Sequence, residues 1–276
     1  MGERFRRSGD LVQLTLIAAP QYTRGDVMKC LKTLIFSAFV LAFANACSST
    51  SEFDTNTPEG IYKLGEKYEK DERFEESIVQ FTAVKNKFPY SKLATEAELR
   101  IAEIHFKREE YVEAQNAYQT FKEMHPSHAR IDYVTFRLGM SFFNQLPSTI
   151  DRDLSVADRA ILYFDEVIQS FPKSAHVKEA QEHKRKALVM LAEKEYYIAN
   201  FYFIRDHYDS ALTRFEEVLS RYPGLGVDAK ALYGAAVSAY NAKEPNKAKS
   251  YYDRLMNQFK NSEEAEKARR EIGSRI

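Results

Sequence analysis

Three basic side chains recur at even spacing: Lys63, Arg100 and Arg137 stand 37 residues apart. The residue before each is apolar, as Tyr62, Leu99 and Phe136. Ammonium and guanidinium groups hold carboxylates through charge-assisted, often bidentate hydrogen bonds. A basic row beside an apolar row therefore suits an extended chain end with bulky side chains and a free carboxylate. Tyr133 and Met140 extend the apolar row around Arg137. The competing use is local: Lys63 with Glu66 and Arg100 with Glu103 are i,i+3 pairs, each contributing only about 0.2–0.5 kcal/mol on an exposed helix. At the equivalent later positions stand Tyr197 and Gly234, so the basic row ends after its third member.

Catalytic and metal chemistry find no comparable pattern. The six histidines are scattered. The tightest pair, in His125-Pro126-Ser127-His128, has no cysteine or organised carboxylate beside it, so no metal is expected there. No glycine-rich phosphate loop is present, and the reading is of a non-enzyme. The chain has 40 Lys/Arg and 40 Asp/Glu. That balance gives no basic footprint for nucleic acid.

The two cysteines, Cys30 and Cys47, both lie near the front. Met28-Lys29-Cys30-Leu31-Lys32 is a short basic opening, and Thr33 to Ala46 is a 14-residue run without charge. A bilayer span needs about 20 apolar residues, so the run fits the apolar region of a secretory signal. Small residues Ala44 and Ala46 precede Cys47. The segment resembles a lipobox, the site where a bacterial lipoprotein is cleaved and its new terminal cysteine acylated, although Ala44 stands where leucine is usual. Ordinary cleavage after Ala44-Asn45-Ala46 is the alternative. The Ser/Thr-rich residues 47–57 read as a flexible tether. Residues 28–46 read as the signal peptide, and residues 1–27 as a mis-called extension ahead of a start at Met28. From Cys47 onward the chain carries 34 basic and 37 acidic residues and one cysteine, which excludes a disulfide framework.

Five ungapped windows of 16 residues align: 74–89, 111–126, 157–172, 208–223 and 245–260. Their fourth residue is small (Ser77, Ala114, Ala160, Ala211, Ala248), their eighth aromatic (Phe81, Tyr118, Phe164, Phe215, Tyr252) and their eleventh apolar (Val84, Phe121, Val167, Val218, Leu255). Those positions share one helical face. Proline closes four windows, where a helix must end; Lys260 replaces it in the fifth. A second helix is expected before each window, marked by Gly65, Ala102, Gly139, Ala199 and Ala236 with aromatics following. Repeat 3 carries nine extra residues within Gln145–Val156. Between repeats 3 and 4 the proline spacing widens from 37 to 51 residues. The stretch Ala175–Asp206 lacks Pro and Gly, which predicts one long helix. Ser262 is placed to cap a final helix.

The small, aromatic and proline spacing is that of tetratricopeptide repeats. The lipobox, the repeats, the Asp151-Arg152-Asp153 loop, Ile131-Asp132-Tyr133 and the run LAEKEYYIANFYFIRDHYDSALTRF (191–215) together resemble the BamD (ComL) family of β-barrel assembly lipoproteins. The resemblance covers about 45 to 260. It implies an all-α fold, with five helix pairs in a right-handed superhelical solenoid. It implies a lipoprotein carrying diacylglycerol and an N-acyl chain on Cys47, on the periplasmic side of the outer membrane. Implied partners are the POTRA domain of BamA, other lipoproteins of the assembly machinery, and the C-terminal β-signals of unfolded outer-membrane proteins. Arg214 matches a family arginine in the region meeting BamA; its plain alternative is a solvated helix residue beside Phe215. On this view 58–172 is the substrate-receiving half, lined by Tyr62, Lys63, Leu99, Arg100, Tyr133, Phe136 and Arg137, and 173–276 is the scaffold half. The rival reading is a repeat adaptor for cell-wall or pilus assembly.

Overall fold

The computed structural model describes residues 53–276, which form one compact unit. Among them are eleven helices and no strand: α1 (Pro58–Lys70), α2 (Phe74–Lys87), α3 (Lys92–Lys107), α4 (Tyr111–Met124), α5 (Ile131–Phe143), α6 (Val156–Ser170), α7 (Val177–Phe203), α8 (Tyr208–Arg221), α9 (Asp228–Asn241), α10 (Pro245–Gln258) and α11 (Glu263–Glu271). Each of the first ten packs on its chain neighbours, and α11 packs on α9 and α10. First helices also touch along the stack, α1 with α3, α5 with α7 and α7 with α9. The result is the expected tetratricopeptide-repeat solenoid of five helix pairs closed by a last helix.

The repeat signature is a packing signature. All five small residues of the second helices are fully buried, and the eleventh-position apolar residues nearly so. The aromatics Phe81, Tyr118, Phe164 and Phe215 are buried, whereas Tyr252 is half-buried, at the end of the stack. Small residues on first helices make room for these rings. A Cβ on Gly65 would stand 2.9 Å from the Phe81 ring, one on Gly139 2.9 Å from Phe164, and one on Gly234 2.3 Å from Phe215. In repeat 1 the Ser77 hydroxyl also donates to the Gly65 carbonyl at 2.8 Å.

The turns inside repeats 1, 2, 4 and 5 are copies of one another. Each places a non-glycine residue in the left-handed region: Glu72, Glu109, Asp206 and Lys243, with φ of 58°, 61°, 59° and 63°. The next amide then reaches back across the turn, as Arg73 N to Tyr68 O at 2.8 Å and Glu110 N to His105 O at 3.0 Å. This bond satisfies a carbonyl at the helix end, as in a Schellman motif, without the usual glycine. In repeat 3 the insertion replaces this turn. Its Asp153 carboxylate accepts from Ser155 N (2.9 Å) and Ser155 Oγ (2.8 Å), and Lys194 of α7 donates to the Arg152 carbonyl at 2.5 Å.

Helix ends follow the sequence closely. Thr57 caps α1 by accepting from Gly60 N, with Pro58 in the first turn. Ser91 caps α3, and Ser262 caps α11 by accepting from Ala265 N. The long helix spans Val177–Phe203, 27 residues. The second helices end two residues before their prolines, with Phe88, His125, Phe171 and Tyr222 at φ near −130°. Phe259 adopts the same conformation before Lys260, so packing holds that geometry even without proline.

Candidate functional site

The basic row lies on the first helices α1, α3 and α5, and its members differ in what they already hold. Lys63 is exposed and makes no ion pair among the described residues; the expected pairing with Glu66 does not form. Arg100 is bound twice. It donates to Glu69 Oε2 at 2.6 Å, linking α3 to α1, and to Glu103 Oε2 at 3.3 Å. Glu103 also takes Arg130, the residue just before α5, at 2.8 Å. The local pairing of Arg100 with Glu103 therefore exists, as one arm of a cross-helix strut.

Arg137 is held differently. Its guanidinium lies 4.3 Å over the Phe106 ring and 5.4 Å from the Tyr133 ring, and its Nε donates to Tyr133 OH at 3.0 Å. No carboxylate lies within ion-pair distance of it among the described residues. Aromatic faces attract the cation, and the tyrosine hydroxyl fixes its orientation. The terminal nitrogens of a guanidinium fork are thus available in a fixed place, where carboxylate binding loses little side-chain freedom. Arg137 opens onto a groove of about 490 Å³, lined also by Glu69, Glu103, Phe106, Tyr111 and Tyr133.

The apolar half of the expected track is corrected. Leu99 is 0% exposed and belongs to the core. Phe136 is also buried, stacked on His176 at 4.9 Å and packed near Phe164. Met140 is buried likewise. Leu99 and Phe136 face inward because each stands three residues before a small core residue, Ala102 or Gly139, on the same side of its helix. Tyr62 differs: it is half-buried, edge-on to Phe81 at 5.1 Å, and burial pushes its hydroxyl up to about 12 against the opposing influence of Arg100. Tyr133 reaches the groove and carries the Arg130 guanidinium on its ring at 4.5 Å. Phe106 and Tyr111, absent from the expected track, form its apolar wall. Phe106 carried a usable signal, since it is the repeat aromatic that follows Ala102.

Arg214 lies on α8 with its side chain 43% exposed. It pairs with Glu217 at 3.0 Å and stands 3.9 Å from Glu195 of α7. It is thus a surface residue in a small charged network beside the buried Phe215. Cys47 and the signal segment lie outside the described residues. No group of three or more metal-ligating side chains occurs among the described residues.

Residues 54–232 match the model of YfiO, an outer membrane lipoprotein family, and residues 230–262 match a tetratricopeptide repeat model. The chain is 25% identical over 218 residues to the outer membrane protein assembly factor BamD of Pasteurella multocida, covering 75% of this chain and 82% of that protein. It is 26% identical over 204 residues to the protein of the same name from Rickettsia prowazekii, covering 74% and 79%. Among solved structures, the TPR2AB-domain:pHSP90 complex of yeast Sti1 is similar at a TM-score of 0.40 and 16% identity, covering 79% of this chain and 84% of that one.

Proposed function

The chain belongs to the YfiO family of outer membrane lipoproteins, and we propose that it serves in outer-membrane protein assembly as a tethered, non-catalytic scaffold. The family match over 54–232 carries this reading. The tether is Cys47, acylated at the lipobox and holding the repeats on the periplasmic face. One acyl chain gives only marginal anchoring, so the cysteine carries several. Arg214, on the surface of α8, contacts the POTRA domain of a BamA-type barrel, and other assembly lipoproteins complete the complex.

The groove between α3 and α5 receives the C-terminal segment of an unfolded outer-membrane protein. Arg137 takes the terminal carboxylate, Phe106, Tyr111 and Tyr133 take the aromatic end, and Lys63 and Tyr62 lie along the upstream path. Arg100 serves mainly as the strut that sets the spacing of α1 and α3. What supports this division is the state of each cation: Arg100 is already neutralised by two carboxylates, whereas Arg137 holds none among the described residues. A hydrogen bond to a charged group contributes about 1.5–3 kcal/mol. Arg137→Ala is thus expected to weaken binding of a phenylalanine-ended peptide by roughly ten- to a hundredfold. Amidation of the peptide terminus should do the same in the unaltered protein and nothing further in the variant.

The reading as a whole is tested by affinity isolation of the membrane-solubilised protein, with mass spectrometry of its own N-terminus and of its partners. The expected result is an acylated Cys47 and a co-purifying POTRA-containing barrel. Recovery of only cell-wall or pilus proteins would keep the tether and overturn the assembly role.

A further inference from the structure

The eighth position of the second helices is a packing position. Phe81, Phe164 and Phe215 fill it in repeats 1, 3 and 4 with buried rings. In repeat 2 it holds Tyr118, which is 0% exposed. The ring alone meets the packing demand, so the hydroxyl needs another reason. Its oxygen is cut off from solvent and completes no hydrogen bond among the described residues. Buried polar groups are nearly always paired, and an unpaired one weakens the fold.

This oxygen lies beneath the groove that holds Arg137. Tyr118 packs edge-on to Phe106, with ring centroids 6.5 Å apart, and Phe106 carries the Arg137 guanidinium 4.3 Å from its ring centre. The Tyr118 hydroxyl interacts with that of Tyr133 without completing the bond, and it stands within electrostatic range of Arg137 and Glu103. Glu103 is already taken by Arg100 and Arg130. Burial pushes the Tyr118 hydroxyl far above the usual tyrosine range, so it keeps its proton.

Hydrogen-bond accounting at Tyr133 shows what that proton can do. A phenolic oxygen offers two lone pairs and one proton. One lone pair of Tyr133 accepts from Arg137 Nε at 3.0 Å. If Tyr118 donates to the other, the Tyr133 proton is left to point into the groove, which Tyr133 lines. If Tyr133 instead donates inward to Tyr118, the groove loses that donor. Burial favours the first arrangement, because Tyr118 has no other free acceptor beside it, whereas Tyr133 can find one in a bound ligand.

We propose that Tyr118 is a positioning residue for the Arg137 groove: when a chain-end carboxylate binds, Tyr118 donates to Tyr133 and so turns the Tyr133 proton onto the ligand. The carboxylate then receives the Arg137 guanidinium on one oxygen and the Tyr133 hydroxyl on the other. Tyr118 never touches the ligand, being buried. The inference rests on the groove receiving a free chain end, and it explains a buried hydroxyl that packing does not require.

The test uses the full chain in detergent and the fluorescein-labelled peptide Gly-Ser-Val-Ser-Tyr-Phe, with a free or an amidated C-terminus, followed by anisotropy. Tyr118→Phe removes one oxygen and installs the residue that three other repeats carry, so the thermal midpoint should hold or rise. Affinity for the free-acid peptide should fall about three- to tenfold, and affinity for the amidated peptide should not change. Tyr133→Phe should lose at least as much, and the double variant no more than Tyr133→Phe alone, because the two hydroxyls act as one chain. An unchanged or raised affinity in Tyr118→Phe overturns the proposal, the rise signifying that Tyr133 donates inward. Equal losses for both peptides, or losses that add in the double variant, overturn it in favour of a packing role. If the unaltered protein binds neither peptide, or both alike, the chain-end reading of the groove fails and this proposal with it. Loss of free-acid binding in Arg137→Ala without any effect of Tyr118→Phe leaves that reading standing and overturns the proposal alone.

Discussion

Lys63, Arg100 and Arg137 occupy the register position in α1, α3 and α5 that Tyr197 and Gly234 occupy in α7 and α9. The front of the molecule places cations there, and the back places an exposed ring and a packing gap. Within the front the roles divide again, into a lysine without an ion pair among the described residues, a strut between two glutamates and an arginine clamped by two rings. At the back, Gly234 has no side chain because the Phe215 ring occupies the space. A repeat copies backbone geometry, while the neighbours of each side chain decide whether a position binds, braces or packs.

That contrast can be broken at graded cost. Phe215→Ala should destabilise most, by about 3–5 kcal/mol in urea unfolding, as for large core aromatics. Tyr252→Ala, its half-buried counterpart in the last repeat, should lose clearly less. Gly234→Ala comes next, at about 1–3 kcal/mol, because a Cβ cannot coexist with the ring without a shift. Tyr197→Ala, at the same register position, should fall within about 0.5 kcal/mol of the parent. Smaller still is the difference between the two arginines. Arg100→Ala should cost about 1 kcal/mol, its side chain being about one-third exposed and solvent-screened. Arg137→Ala should cost less stability and more peptide affinity. If Arg100→Ala instead abolished peptide binding with stability intact, the strut assignment would fail. One further change runs the other way. Glu109→Gly, at φ 61°, should stabilise by about 0.4–1 kcal/mol if relief of the left-handed strain outweighs the added freedom of the unfolded chain. A lowered midpoint would show that the Glu109 side chain contributes more than its backbone costs.

The sequence displayed packing more openly than recognition. Small, aromatic and apolar residues at positions 4, 8 and 11 recur because burial imposes the same demand five times, and the long helix and the Ser262 cap were readable for similarly local reasons. Leu99 and Phe136 share the register of the basic row, yet their spacing from Ala102 and Gly139 places them on the buried side. Tyr62 escapes full burial because no described helix precedes α1 to cover it. The bracing of Arg100 by Glu69 joins residues 31 apart on different helices, and no local pattern marks it. Left-handed Glu72, Glu109, Asp206 and Lys243 were invisible for a different reason: none is the glycine that such a turn favours.

The most direct test is photo-cross-linking in cells, with a benzophenone amino acid replacing Lys107 at the rim of the Arg137 groove and, as control, replacing Val79 on α2. The account predicts that position 107 captures outer-membrane barrel proteins before they fold, that the adducts disappear in the Arg137→Ala background, and that position 79 captures none. Equal capture at both positions, or capture only of wall or pilus components at 107, would contradict it.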